Sequence, residues 1–170
     1  ILPELNDINT PWIKIIENAD DLKSASTQMR RKSFGSALAG VPEDGRLSDY
    51  EDALDRHYFS NALKALTGKG PDVRFLKDLV ASEIDHRNIL NVLEAGAVGL
   101  SNEQIVELLI PGGRVVPKRA FSAIATGGKD ALLDMLRNAP RFDGASFEEA
   151  LATSTETHSL DAVVTWLKER

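Results

Sequence analysis

Pro71-Asp72-Val73-Arg74-Phe75-Leu76-Lys77-Asp78-Leu79-Val80, running on through Glu83-Ile84-Asp85-His86-Arg87-Asn88-Ile89 toward Val98, is the stretch that decides the fold. Val73, Leu76, Val80 and Ile84 recur at three- and four-residue steps, and Leu79, Leu90 and Leu93 widen the stripe. That period belongs to a helix with one apolar face. The spacing predicts a helix from Pro71-Asp72 to about Val98, roughly 27 residues and 40 Å long at 1.5 Å per residue. Gly99 sits where a left-handed C-cap is expected.

The same grammar extends in both directions. Beyond Gly99, Ser101 with Gln104 forms a capping-box pattern and opens a helix through Ile110, which Pro111-Gly112-Gly113 stops. Short helices follow at about 117–125, 129–139, 146–152 and 159–170. Toward the N-terminus, Gly68, Gly70 and Pro71 break the chain. Before them, Ser48 with Glu51 gives a second capping-box pattern and opens a helix to about Leu66. A helix from about Asp20 to Leu38 is expected earlier, with Leu22, Ala25, Met29 and Phe34 inward and Gly40-Val41-Pro42 as its stop. Thr10-Pro11 opens a first short helix carrying Trp12, Ile13, Ile15 and Ile16. No stretch alternates apolar and polar long enough to predict a strand. The expected class is all-α, a bundle of helices in one region over 1–170, with a candidate repeat boundary near 68–71.

Composition narrows the function. The chain has 170 residues, 42% hydrophobic and 27% charged, with a net charge of −6. No apolar run approaches the roughly 20 residues that span a bilayer. The acidic balance and few aromatic residues argue against nucleic-acid binding, which leaves a basic footprint or a stacking platform. The absence of cysteine excludes disulfides and thiolate metal sites and fits a cytoplasmic protein. Ile1 in place of Met, and a last helix periodic up to Arg170, read as a piece of a longer chain, without a secretory signal.

Three kinds of pattern could carry chemistry. Glu83 and His86 share a helix face, which is half of a Glu-x-x-His di-iron pattern, but no second copy exists. Gly127-Gly128-Lys129-Asp130 opens a helix, yet lacks the glycine spacing and preceding strand of a phosphate loop, and reads as a helix-to-helix turn. No Gly-x-Ser-x-Gly elbow occurs, and Glu148-Glu149 are adjacent and so do not face each other on a helix. Met29-Arg30-Arg31-Lys32 reads as a solvated face. No catalytic residue, cofactor site or metal site is expected. Glu83, Asp85, Arg87 and Asn88 are expected instead to form a structural polar network that locks helices in register, because buried polar groups need partners.

Residues 72–113 carry a resemblance. Asp72 to Val80, Glu83-Ile84-Asp85 and Asn88-Ile89 resemble the middle repeat of the C subunit of archaeal A-type ATP synthases, and are similar to the bacterial V-type C subunit and the eukaryotic V-ATPase d subunit. Gly99-Leu100, Glu103, Ile105 and Leu108-Leu109-Ile110-Pro111-Gly112-Gly113 continue the pattern in order, and Phe34-Gly35 with Leu38 resemble the tail of the first repeat. Glu94-Ala95-Gly96-Ala97 depart from it, since that family commonly places Arg and other bases there.

The resemblance implies three similar helical repeats in a pseudo-threefold funnel, of which this chain would be the central part. It implies a non-catalytic central-stalk rotor component. Such a component links the rotor-ring proteolipid subunits to a central shaft made by the D and F subunits, and passes torque between ion flow and ATP chemistry. It would be peripheral to the membrane through the ring, on the cytoplasmic face, and monomeric alone. The alternatives are a stand-alone helical scaffold or regulatory module, and, third, a metal-dependent helical enzyme.

Overall fold

The computed structural model describes residues 10–31, 35–42, 44–140 and 142–169. The regular structure among them is helical, with no strand, so the protein is all-α. No helix among them is long and apolar enough to cross a membrane. The chain divides into two compact units, Ile1–Asn61 and Ala62–Arg170, and the helix Leu47–Ala65 runs across the division.

The first unit holds α1 (Thr10–Glu17), α2 (Leu22–Met29), a 3-10 turn at Ala37–Gly40 and most of α3 (Leu47–Ala65). Asp21 caps α2 by accepting from the Ser24 N–H at 2.7 Å. The helix expected from Asp20 to Leu38 stops at Met29, and Leu38 belongs to the separate 3-10 turn. At its end the Arg30 guanidinium donates to the Val41 carbonyl at 2.7 Å. Leu38 and Val41 then bury against Tyr50, with Met29 and Ala53 packed around them. Phe34 lies outside the described residues.

The start of α3 also differs from expectation. Ser48 is already helical, and the chain enters at Leu47. The Asp49 carboxylate reaches back to accept the Arg46 N–H at 2.7 Å. A carboxylate in the first turn satisfies an orphan donor and suits the positive end of the helix, so Asp49 displaces the Ser48–Glu51 box.

The second unit is built on α4 (Pro71–Ala97), a helix of 27 residues. At its end the Leu100 N–H donates to the Ala95 carbonyl at 3.0 Å and the Gly99 N–H to the Gly96 carbonyl at 3.2 Å, with Gly99 at φ 76°. This is the left-handed ending that the sequence predicts. α5 (Asn102–Glu107) starts with the expected box: Ser101 Oγ accepts from Gln104 N, and Gln104 Oε1 accepts from Ser101 N at 3.0 Å. Its expected end is Ile110, but it stops at Glu107, because Leu108 and Ile110 are bonded elsewhere.

After a 3-10 turn at Lys118–Ala120, α6 (Phe121–Arg137) is two helical pieces meeting at a kink, in keeping with the two helices expected at 117–125 and 129–139. The expected turn survives as a break inside it, with Gly128 at φ 54° and ψ −133°. The Asn102 amide donates to the Thr126 carbonyl at 3.1 Å beside that break. α7 (Gly144–Thr157) runs past its expected end at Ala152, to a left-handed His158. α8 (Asp161–Lys168) closes the described chain, and Arg170 lies outside it.

One core joins the helices of this unit. Ile89, Val92 and Leu93 of α4 meet Ile105, Leu109, Val116, Ile124, Leu132, Leu136, Phe147, Val163 and Leu167. Burying such side chains contributes about 1.5–3 kcal/mol each. Phe142, Phe147 and Trp166 pack against one another with tilted or edge-on rings, their centroids 5.2–5.4 Å apart. The Trp166 indole N–H donates to Ser146 Oγ at 2.7 Å.

Candidate functional site

The distinctive chemistry of the second unit is a polar seam on α4. Asp85, Asn88 and Asn91 follow at three-residue steps, so they share one face of the helix. All three are buried, Asn88 completely. Their partners are backbone groups of the segment from Leu108 to Val116.

The Asp85 carboxylate accepts three backbone N–H groups, from Arg114 at 2.8 Å, Val115 at 2.9 Å and Val116 at 2.7 Å. Asn88 donates to the Ile110 carbonyl at 2.9 Å and accepts the Ile110 N–H at 2.7 Å. Its amide thus mimics a peptide and pairs with Ile110 as a strand neighbour would. Asn91 donates to the Leu108 carbonyl at 2.9 Å. As the number rises along α4, the partner number falls, so segment 108–116 is strapped antiparallel to the helix.

The strap solves an accounting problem. A non-helical segment buried beside a helix leaves backbone groups that water cannot reach, and these need partners. The three side chains supply them, while Leu109, Ile110 and Val116 bury their own side chains. Glycine makes the close approach possible. A Cβ on Gly113 would overlap the Asp85 carboxylate, and one on Gly112 (φ 128°) would meet Ile84 Cδ1 at 2.9 Å. At the outer edge Arg114 pairs with Asp78.

Of the four residues that the sequence points to, the seam brings together Asp85 and Asn88. Glu83 and Arg87 lie outside it, both exposed. Each is two residues from Asp85, about 200° around the helix, which points them away from the strap. Asn91 is the seam residue that the sequence reading misses, although its spacing from Asp85 and Asn88 is a signal that finds it.

His86 lies half-buried at a cavity of about 150 Å3 lined by Ser82, Asp85, Val115, Phe142, Asp143 and Trp166. Its Nε2 is 3.4 Å from Ser82 Oγ, longer than a working nucleophile–base contact. The Asp143 carboxylate caps α7 by accepting the Ser146 N–H at 3.1 Å. Among the described residues, no three of His, Asp or Glu gather as metal ligands. Among the described residues of the unit, Glu103 and Arg137 have displaced protonation equilibria. Glu103 is held below the usual carboxylate range by its own backbone N–H and the Ser101 hydroxyl. Arg137 is pushed up by Glu148, with Asp134 assisting.

A long helix carrying a strapped, glycine-lined segment defines the class as an all-α structure organised by a polar seam. Comparison with known proteins gives that class a family. The model of the ATP synthase (C/AC39) subunit family matches residues 2–169, and the chain belongs to this family. It is 24% identical over 128 residues to the A-type ATP synthase C subunit of Methanocaldococcus jannaschii, covering 75% of this chain and 31% of that protein. It is 38% identical over 106 residues to the A-type ATP synthase C subunit of Pyrococcus horikoshii, covering 62% and 27%. Against the corresponding C subunit of Thermoplasma acidophilum it is 26% identical over 136 residues, covering 78% and 36%. These matches span about a third of the length of the curated relatives. No solved structure matches it.

Proposed function

We propose that the chain is part of a non-catalytic central-stalk component that links a membrane rotor ring to the shaft of a rotary ATP synthase and transmits torque. The observation that carries this reading is the strap. Asp85, Asn88 and Asn91 fix segment 108–116 along a 27-residue helix. A transmitter of torque must resist bending, and packed helices cross-linked by buried hydrogen bonds deform less than loops. Family membership supports the reading, as do the names of the relatives, each an A-type ATP synthase C subunit.

In this reading Asp85 and Asn88, of the four residues Glu83, Asp85, Arg87 and Asn88, act for structure rather than chemistry. The chain forms part of a pseudo-threefold funnel of helical repeats, with a repeat boundary at 68–71. Its partners are the proteolipid ring and the D and F shaft subunits, and it sits peripherally on the cytoplasmic face through the ring.

The test is reconstitution. Purified chain is mixed with the D–F shaft complex, and separately with detergent-solubilised ring, and followed by size-exclusion chromatography. Co-elution with at least one is expected. Folded chain, verified by circular dichroism, that elutes free of both overturns the reading.

A further inference from the structure

The first unit contains a second feature that the strap does not explain. A groove with a cavity volume of about 420 Å3 opens between α1, α2 and the start of α3. From α2 it is lined by Leu22, Ala25, Ser26 and Met29, and from α3 by Leu47, Tyr50, Glu51 and Leu54. Each set falls at i, i+3, i+4 and i+7, the complete contact stripe of a helix facing another helix. Two such stripes converge on one open groove. Its lining includes the buried Ala25, Ser26, Leu38 and Tyr50. Its edges keep large apolar surface in water: Ile16 is 61% exposed and Leu47 60%.

We propose that this groove receives one amphipathic helix of a partner protein, whose apolar face is flanked by Lys or Arg. Shape selects a helix, because both walls present helical stripes about 12 Å long, the length of eight-residue α2. That length admits anchors at i, i+3 or i+4, and i+7, as in helix-in-groove recognition. Charge selects the flanks. The charged groups in the lining are Asp21 and Glu51, both exposed, and no cationic side chain among the described residues lines it. The site lies wholly within the first unit and is independent of the strap, so it stands or falls separately from the rotor reading.

The test uses the full chain and synthetic stapled helices of about 14 residues, long enough to hold three anchors. One carries Leu at i, i+3 and i+7 with Lys flanks, a twin has Glu flanks, and a third has the anchors scrambled. Fluorescence anisotropy should give saturable binding of the Lys-flanked helix, roughly fivefold or more tighter than the Glu-flanked twin, and none of the scrambled one. Leu47→Lys, at an exposed position, should abolish binding. Glu51→Lys should reverse the flank preference. Equal binding of both twins, or no binding, overturns the proposal. So does a concentration-dependent dimer that Leu47→Lys dissociates, which would make a second copy the occupant. Binding that appears only after removal of residues 1–9 would assign the groove to the chain's own N-terminal segment, and also overturns it.

Discussion

The Asp85 carboxylate occupies the space that a side chain on residue 113 would fill: Gly113 and Asp85 are 28 positions apart and leave no room between them for a methyl group. The same carboxylate holds the three amides that follow, at Arg114, Val115 and Val116. Backbone and acid are therefore fitted to each other. The glycine admits the carboxylate, and the carboxylate neutralises the convergent N–H dipoles of the turn after it.

Gly113→Ala should therefore act through Asp85. Forcing a methyl group into a packed site costs about 1–3 kcal/mol, and displacing the carboxylate adds the loss of its bonds. Urea denaturation should place Gly113→Ala at least ~2 kcal/mol below the parent. In Asp85→Ala, where the obstacle is gone, the same glycine substitution should cost much less. Strict additivity of the two changes would separate these residues energetically and refute the fit.

Removing the acid alone leaves three amides without acceptors, that of Val116 buried and those of Arg114 and Val115 part-buried. Asp85→Ala is expected to cost about 3–5 kcal/mol. Asp85→Asn, which keeps a carbonyl oxygen, should cost less. Glu83→Ala, two residues away and off the seam, should stay within about 0.5 kcal/mol. Equal unfolding midpoints for Asp85→Ala and Glu83→Ala would remove the seam from the account of stability.

The all-α class and the frame of the second unit were legible because they rest on local signals. The Val73–Ile84 stripe, the Ser101–Gln104 box and Gly99 specify α4 and the start of α5 through contacts within a few residues. The early ends of α2 and α5 were not legible. Each coincides with a bond to a distant residue, Arg30 to the Val41 carbonyl and Asn88 to Ile110, which the local helical period does not announce. The seam was half legible. A mid-helix Asp and Asn signal buried partners, but only the three-residue step to Asn91 separates the buried face from that of Glu83 and Arg87. The first-unit groove had no signal of its own, since either stripe alone reads as an ordinary core face.

Asn88 pairs with both backbone groups of Ile110, so its loss should be felt first at that amide. In Asn88→Ala, hydrogen exchange should speed up at Ile110 by about tenfold or more, the equivalent of one lost bond of about 1.4 kcal/mol. The amides of Val115 and Val116, held by Asp85, should lose less protection. Uniform loss across 108–116 would mean that the strap opens as one unit. Unchanged protection at Ile110 would mean that Asn88 does not hold it.

The cap of α5 offers a pH-dependent prediction with a definite sign. Glu103 has a folded pKa below its ordinary value, because its own backbone N–H and the Ser101 hydroxyl favour the charged form. A depressed carboxylate pKa gives stability that is fully present above the unfolded value of about 4.3 and is lost as pH falls through the folded value. The Glu103 carboxyl resonance should thus titrate below the ordinary glutamate value of about 4.3. Ser101→Ala removes the smaller of the two causes and the acceptor for Gln104 N, so the midpoint should move partway up while the fold loses about 1 kcal/mol. The cost of Ser101→Ala should shrink once the pH drops below the Glu103 midpoint, because the hydroxyl then has no carboxylate to favour. A Glu103 midpoint identical in parent and variant would show that the Ser101 hydroxyl serves the helix cap alone.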